Sequence, residues 1–362
     1  VERVAFTGAE IGLLQSIREI PGFLAFTSVL FLLIIYEQRF ALIALIVLGA
    51  GTMMTGFFAS EIGLYVTTMV MSIGFHYFET AKQSLTLQWL DKQNAAAQMG
   101  RLVAVGSFAS IASFGLIYLF FEVLGTGFIG TYIVGGGITI ALALFLWVAY
   151  PRFTAPVPQN KKLLLRSRYW LYYALTFMGG ARRQVFTVFA SFLMVEKFGY
   201  SVGAITALFL VNNVFNMAFA AKIGALIGRW GERRALTVEY VGLVIVFSAY
   251  AVVETPWVAA SLYVVDHAFF ALAIAMKTYF QKIADPADIA PTTGVAFSIN
   301  HIAAVGIPAS FGLIWLWSPA LVFWLAAAMA AISLALARLV PEDPRPGVEW
   351  AWRRPRRTAP AE

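Results

Sequence analysis

Ionisable side chains inside long apolar stretches are the residues of this sequence that could do chemistry. Arg182 and Arg183 lie near the middle of the apolar run 168–194, two residues after a pair of glycines. Because an ionisable group is costly to bury in an apolar helix, each is a candidate functional residue. We predict that they bind an anionic solute through paired hydrogen bonds. The alternative is a salt bridge to a neighbouring helix, for example to Asp266.

A second candidate group lies in the apolar run 256–283. Asp266 and His267 are adjacent, and Lys277 follows three helical turns after Asp266, on the same face of a continuous helix. A carboxylate beside a histidine can bind and release a proton. We therefore predict proton coupling by Asp266 and His267 and substrate binding by Lys277. The alternative is hydrogen bonding between helices.

A third group lies in the run 62–90. His76, Glu79 and Gln83 are spaced by three and four residues, so they share one helix face. This pattern predicts proton coupling by His76 and Glu79 and substrate binding by Glu79 and Gln83. Lys82 lies three residues after Glu79, and the alternative is that these two residues form a self-sufficient ion pair.

The composition shows which solvent surrounds these residues. Hydrophobic residues make up 60% of the chain and charged residues 12%, whereas soluble domains are about 25% charged. The chain contains no cysteine and three histidines, so we expect no disulfide, no metal site and no cofactor. No Gly-x-Ser-x-Gly sequence or phosphate-binding loop is present, so we do not expect an enzyme. These features predict an integral membrane protein.

Eleven apolar runs follow one another, each long enough to cross a hydrocarbon core of about 30 Å as a helix. They cover residues 9–35, 41–59, 62–90, 101–122, 128–150, 168–194, 202–228, 235–253, 256–283, 292–316 and 318–338. The sequence therefore predicts an all-α membrane protein with about eleven transmembrane helices in the lipid bilayer.

The basic residues predict the orientation of these helices. If the chain starts outside, the outward loops contain only Arg3 and Lys197, and all other basic loops and the C-terminus face the cytoplasm. This distribution is typical of a multi-pass protein of a bacterial-type inner membrane. The net charge of +7 is spread over short loops rather than gathered in a patch, so we expect no nucleic-acid partner.

An internal repeat divides the chain into two halves. Three pairs of segments match at a nearly constant offset: Val1–Thr7 with Val195–Ser201, Glu37–Arg39 with Glu232–Arg234, and Ser113–Ile117 with Ser310–Ile314. Such a pattern indicates duplication. We predict an N-terminal half over 1–150, a cytoplasmic linker over 151–167, a C-terminal half over 168–340, and a disordered, basic cytoplasmic tail over 341–362.

The repeat also bears on the odd number of helices. Val1 aligns with Val195, which lies at the end of a predicted helix, so a helix is expected before Val1. We therefore expect eleven helices of a twelve-helix fold, with the first helix lacking in this chain. A protein that has eleven helices in full is the alternative.

Polar residues elsewhere in the apolar runs are predicted to be structural. Arg18 and Glu19 align in the repeat with Asn212 and Asn213, which suggests a gate or a contact between helices. His301 is expected to form an interhelical hydrogen bond.

The loop Gly224–Leu236 resembles a signature of the major facilitator superfamily. The matching positions are Gly224, Leu226, Arg229, Gly231, Arg233 and Leu236. Gly228 stands where the family usually has Asp, and Glu232 where it usually has a basic residue. The corresponding loop of the first half keeps Arg39 and Leu42. The resemblance implies a gating role for Gly224, Arg229, Gly231, Arg233 and Arg39.

The resemblance implies a fold of two six-helix halves and alternating access around a central site. We expect a monomeric secondary active transporter of a small solute that is coupled to H⁺, with an organic anion as the candidate cargo. The alternatives are a receptor or scaffold derived from a transporter and a membrane-embedded enzyme.

Overall fold

The computed structural model describes residues 8–154 and 156–352, without the side chains of residues 8–12, 202 and 309. Within these residues the chain forms fourteen α-helices. They are α1 (Gly8–Phe23), α2 (Ser28–Phe31), α3 (Glu37–Thr55), α4 (Glu61–Trp89), α5 (Ala95–Tyr118), α6 (Gly127–Ala149), α7 (Trp170–Gln184), α8 (Ser191–Phe198), α9 (Val202–Trp230), α10 (Glu232–Val252), α11 (Pro256–Phe270), α12 (Ile274–Ile283), α13 (Ile289–Trp315) and α14 (Pro319–Arg338). Arg3, the repeat segment 1–7 and the tail arginines from Arg353 onward lie outside the described residues.

Three pairs of these helices are parts of longer helical segments. A 3₁₀ turn joins α1 to α2 over Leu24–Thr27, a π-helical turn joins α7 to α8 over Val185–Ala190, and a 3₁₀ turn joins α11 to α12 over Ala271–Ala273. With these pairs joined, the described chain has eleven helical segments. The prediction of an all-α membrane protein with about eleven helices is confirmed.

Among the described residues, eight helical segments are long and apolar enough to cross a membrane by length and composition. The other three are the segments that contain α1, α4 and α7. They are interrupted by a turn or contain more polar residues, such as Glu19 in α1, His76 in α4 and Arg182 in α7. The helices with the lowest hydropathy therefore carry several of the ionisable residues of interest.

Local sequence determines where several helices begin and end. Gly199 adopts the left-handed conformation after α8, at a φ of 68° that glycine tolerates without steric conflict. The Ser201 hydroxyl then accepts a hydrogen bond from the Ala204 amide at 3.1 Å and caps α9. Ser318 caps α14 in the same way, and Pro319 provides its first residue.

The described helices pack into two compact units. Unit 1 comprises Val1–Trp89, Ala112–Leu164 and Ala287–His301, and unit 2 comprises Leu90–Ile111, Leu165–Pro286 and Ile302–Glu362.

Glycines set the helix spacing in unit 1. A Cβ on Gly136 of α6 would lie 2.3 Å from the Gly49 carbonyl oxygen of α3, and a Cβ on Gly74 of α4 would lie 2.3 Å from the Leu48 nitrogen. Small residues at such positions let helix backbones approach closely. Helix α3 is therefore in close contact with both α4 and α6.

Unit 2 combines an aromatic core with another close helix pair. Tyr172 of α7 stacks on Phe280 of α12 with ring centroids 4.3 Å apart. A Cβ on Gly224 of α9 would lie 2.2 Å from the Ala96 carbonyl oxygen of α5. A Cβ on Gly228, one turn later, would have no atom of another element within 4 Å. Of the two glycines in this Gly-xxx-Gly sequence, only Gly224 is at a close helix contact.

The segment between α6 and α7 is anchored to the other elements of unit 1. The Arg152 guanidinium lies over the Tyr36 ring at 3.3 Å. The Gln159 side-chain oxygen accepts a hydrogen bond from the Ala290 amide at 2.9 Å and caps the start of α13. Asn160 donates a 2.7 Å hydrogen bond to Asp288.

Residues 341–352 fold back onto unit 2, so the predicted disorder of the tail is wrong for these residues. The Tyr279 hydroxyl donates a hydrogen bond to the Glu349 carbonyl oxygen, and the Ala351 amide donates one to Leu339 at 2.7 Å. The proline and arginine content suggested disorder, but the aromatic residue Trp350 packs edge-on against Trp170.

Candidate functional site

Unit 2 contains a buried group of three ionisable residues from three helices. Arg182 of α7 donates a hydrogen bond from Nη1 to Oε1 of Glu239 on α10. The two side chains are 7% and 0% exposed. Asp266 of α11 is buried as well and interacts electrostatically with Arg182. We call Arg182, Glu239 and Asp266 the charge cluster.

The charge cluster contains more acceptors than its single guanidinium satisfies. Oδ1 of Asp266, Oε2 of Glu239 and Nε of Arg182 are buried without a hydrogen-bond partner among the described residues. With both acids ionised the cluster has one excess negative charge, and with one acid protonated it is neutral. Since an uncompensated buried charge is costly, the cluster is suited to binding a proton.

Aromatic and amide side chains surround the charge cluster. The Arg182 guanidinium lies 4.9 Å from the centre of the Phe270 ring and 5.7 Å from that of Tyr240. These rings stabilise the cation and keep water away from it. Beside Asp266, His267 accepts a 2.8 Å hydrogen bond at Nε2 from the Asn216 amide of α9.

The other two residues predicted in this part of the chain lie in different surroundings. Arg183 is half-buried next to Arg182, and Lys277 is exposed on α12. The prediction that Asp266 and Lys277 share a face assumed one continuous helix. The 3₁₀ turn over Ala271–Ala273 changes the helical phase between them, and Asp266 is buried whereas Lys277 is exposed.

The predicted polar face of α4 lies in unit 1 and is divided between two environments. Glu79 forms an ion pair with Lys82, which is the alternative considered from the sequence, and Gln83 is half-buried. His76 is 3% exposed and faces other elements.

His76 belongs to a second polar group, formed with Glu19 of α1 and His301 of α13. One ligand atom from each of these three residues lies within 4.8 Å of the others. The two imidazole rings are 4.9 Å apart and nearly perpendicular. We call Glu19, His76 and His301 the histidine cluster.

The family of the chain follows from its sequence as a whole. The model of the Major Facilitator Superfamily matches residues 2–308. The chain belongs to the major facilitator superfamily. No curated protein matches the sequence.

Several solved structures of transporters share the fold. The transporter FucP in an outward conformation has a TM-score of 0.74 at 13% identity, covering 93% of this chain and 91% of that one. FucP is the fucose:proton symporter of E. coli. The human organic anion transporter MFSD10 has a TM-score of 0.64 at 14% identity, covering 90% of this chain and 83% of that one. A bacterial homologue of the iron transporter ferroportin has a TM-score of 0.67 at 13% identity, covering 91% and 89%.

The loop that carries the superfamily signature separates α9 from α10. Gly231 lies between the helices at a φ of 82° and a ψ of 159°, a conformation that is essentially restricted to glycine. Glu232 forms an ion pair with Lys282 at 2.7 Å, and Arg233 forms one with Glu342 at 3.6 Å. The acidic residue that departs from the family pattern is therefore itself part of a charge pair.

The remaining residues predicted to act in gating have different surroundings. Arg229 is exposed at the end of α9. In unit 1, the exposed Arg39 places its guanidinium 5.2 Å from the centre of the Trp147 ring.

Sequence reasoning missed Glu239 and assigned structural roles to Glu19 and His301. A signal for Glu239 was present, because it is the only charged residue within the predicted helix 235–253. The rule applied to Arg182 and Asp266, that a charge in an apolar helix marks a candidate site, also selects this residue. No comparable signal connects Glu19 with His301, which are far apart in the sequence.

Proposed function

We propose that the protein is a proton-coupled secondary active transporter of a small solute, with the charge cluster as its coupling element and Asp266 as the proton acceptor. The observation that carries the proposal is the burial of two carboxylates, Glu239 and Asp266, around the single guanidinium of Arg182. Such a group changes its net charge when it binds one proton.

Competition between the two carboxylates links the proton to a conformational change. When Asp266 is protonated, Arg182 pairs with Glu239 on α10. When Asp266 loses its proton, Arg182 gains a second anionic partner on α11. The protonation of Asp266 therefore determines whether Arg182 is attracted to α10 alone or to both α10 and α11. A two-state transporter responds to such a bias by a shift in its populations.

The candidate cargo is an organic anion bound by Arg182 or by the half-buried Arg183. An anionic solute would compete with Glu239 and Asp266 for a guanidinium, which would connect cargo binding to the proton site. His267, held by Asn216, contributes a second titratable group beside Asp266. The fold similarity to a proton symporter and to an organic anion transporter agrees with this assignment.

We further propose a monomer in a bacterial-type inner membrane, with the C-terminus in the cytoplasm. The distribution of basic residues between the predicted loops supports this orientation. Two halves over 1–150 and 168–340, joined by a linker, account for the internal repeat.

Proton movement into sealed proteoliposomes tests the proposal. The full chain is reconstituted with a pH-sensitive dye in the lumen, and neutral sugars and mono- and dicarboxylates are added singly. We expect one of these solutes to change the lumenal pH with the wild type. Asp266→Asn should abolish this pH change while exchange of the radiolabelled solute across the membrane continues.

Asp343→Asn is the matched control, since it changes the same functional group on a side chain that is 81% exposed. It should behave like the wild type. The coupling role of Asp266 is refuted if Asp266→Asn moves protons at the wild-type rate. Coupling itself is refuted if wild-type transport is unchanged when a protonophore collapses the gradient.

A further inference from the structure

The histidine cluster of unit 1 has the donor set of a transition-metal site. We propose that Glu19, His76 and His301 bind one divalent transition-metal ion. The sequence predicted no metal site, because the chain has no cysteine and only three histidines. The fold brings two of them together with a carboxylate from a third helix.

The spacing of the donor atoms is close to that around a bound ion. Oε2 of Glu19 lies 3.7 Å from Nε2 of His301, and one ring nitrogen of His76 lies within 4.8 Å of a ligand atom of each of these two residues. Ligands of Zn²⁺ at about 2.0–2.1 Å in a tetrahedral arrangement are about 3.3 Å apart. Side-chain rotations of modest size therefore bring the three donors to coordination distance.

Hydrogen bonds select the coordinating nitrogen of His76. Its Nδ1 lies 2.9 Å from the Ser72 carbonyl oxygen and 2.9 Å from the Ser72 hydroxyl. That hydroxyl itself donates to the Arg18 carbonyl oxygen, so it accepts from Nδ1. A carbonyl oxygen also only accepts, and Nδ1 is therefore the protonated nitrogen. In the neutral ring the lone pair lies on Nε2.

His301 is held in the same manner. Its Nδ1 donates to the Phe297 carbonyl oxygen at 2.8 Å, which leaves Nε2 as the nitrogen that faces Glu19. Histidine ligands of metal ions typically donate their other ring N–H to a carbonyl or carboxylate, which orients the ring and fixes its tautomer. Both histidines of the cluster have this arrangement.

The carboxylate of Glu19 is oriented as well. Its Oε1 accepts hydrogen bonds from Nη2 and Nε of Arg18 at 3.0 and 3.3 Å. The other oxygen, Oε2, is the one directed towards His301. Arg18 is 56% exposed, so solvent weakens its repulsion of a nearby cation.

The surrounding residues hold the two rings in place. Phe297 stacks on His301 with ring centroids 4.6 Å apart. Gly22, three residues after Glu19 on α1, leaves room for His301, because a Cβ there would lie 2.3 Å from Cδ2 and 2.6 Å from Nε2. Both histidines are 3% exposed. Both rings of the site are therefore shielded from solvent.

The donor set indicates which ions fit. Two imidazole nitrogens and one carboxylate oxygen suit Zn²⁺, Fe²⁺, Co²⁺ or Ni²⁺, whereas Mg²⁺ and Ca²⁺ prefer oxygen ligands. Three protein ligands leave at least one coordination position for water or for a solute. The competing explanation is an ion pair between Glu19 and a protonated His301, which requires no metal.

Calorimetric titration of the purified full chain in detergent separates these explanations. We expect one equivalent of Zn²⁺ to bind in the presence of excess Mg²⁺, and Co²⁺ to give a visible absorption band typical of a low-symmetry site. His76→Gln, His301→Gln and Glu19→Gln should each weaken Zn²⁺ binding at least tenfold.

His267→Gln is the matched control, because it removes the third histidine of the chain, which lies in unit 2. It should bind Zn²⁺ like the wild type. Asp266→Asn should also do so, since the metal site does not depend on the proposed proton coupling.

If the three ligand variants misfold, a variant that keeps all three donor side chains still tests the proposal. Gly22→Ala favours the helix intrinsically but displaces His301, so it should fold and bind Zn²⁺ at least tenfold more weakly. The proposal is overturned if the wild type binds less than one equivalent of Zn²⁺. It is also overturned if the Gly22, His76 and His301 variants bind as the wild type does.

Discussion

Removing Arg182 is expected to destabilise the protein more than removing its hydrogen-bonded partner does. In Arg182→Met, Glu239 and Asp266 are left buried without a cation. In Glu239→Gln, Arg182 still has Asp266 as an anionic neighbour, and the cluster becomes neutral. The same ion pair is lost in both variants, so the difference between them reflects the two buried carboxylates that only Arg182→Met leaves without a cation.

The expected magnitudes follow from the burial of the pair. With side chains that are 7% and 0% exposed, loss of the arginine falls in the range of about 3–5 kcal/mol found when one partner of a buried ion pair is removed. Glu239→Gln should cost about 1–3 kcal/mol, because it leaves an imperfectly satisfied polar group. The double variant Arg182→Met/Glu239→Leu should recover part of the loss, since it removes the buried carboxylate of Glu239 but still leaves that of Asp266 without a cation.

The assay is the free energy of unfolding of each purified variant in mixed micelles, titrated with SDS and followed by tryptophan fluorescence. Arg233→Met is the control. Its ion pair with Glu342 spans 3.6 Å between side chains that are 25% and 84% exposed, and such a pair contributes about 0–1 kcal/mol. A difference of 1.4 kcal/mol is about tenfold in the unfolding equilibrium and is readily resolved.

Two outcomes would contradict this reasoning. Equal losses for Arg182→Met and Glu239→Gln would mean that Arg182 does not compensate two buried carboxylates. A loss for Arg182→Met as small as that for Arg233→Met would mean that the charge cluster is accessible to water.

Two further expectations concern glycines near the loop of the superfamily signature, and both are checked by the same unfolding measurement. Gly231→Ala should cost about 1–3 kcal/mol, because a φ of 82° is unfavourable for a residue with a Cβ; a loss below about 0.5 kcal/mol, the scatter of ordinary surface substitutions, would show that this loop relaxes freely. Gly224→Ala should cost about 1–3 kcal/mol, since its Cβ would collide with the Ala96 carbonyl oxygen. Gly228→Ala, with open space around it, should be neutral or slightly stabilising, and an equal loss at both positions would contradict the assigned contact.

The helices could be predicted from the sequence because hydrophobicity is a local property. Each apolar run became a helical segment, and the signature around Gly224 and Gly231 led to the correct superfamily. The interruptions were not predicted. The 3₁₀ turn at Ala271–Ala273 lies among good helix formers, so packing rather than intrinsic propensity determines it.

The partners within each cluster could not be predicted, because they depend on contacts between distant helices. Arg182 and Glu239 are 57 residues apart, and nothing in either local sequence indicates the other. The same holds for His76 and His301, which were assigned separate roles. Residue type and burial could be inferred at single positions, whereas the pairing of those positions is a property of the fold.

The 3₁₀ turn between α11 and α12 has a mechanical consequence. A change of this turn to α geometry would rotate α12 about its axis and shift it along the axis at the same time. Each residue that changes from 3₁₀ to α geometry turns the helix beyond it by about 20° and shortens the axis by about 0.5 Å. For the three residues Ala271–Ala273, this amounts to about 60° and about 1.5 Å. The side chains of α12, including Lys277, would then rotate about the axis of α12, while Asp266 on α11 keeps its position. Such a rotation would change backbone hydrogen bonds only within that one turn.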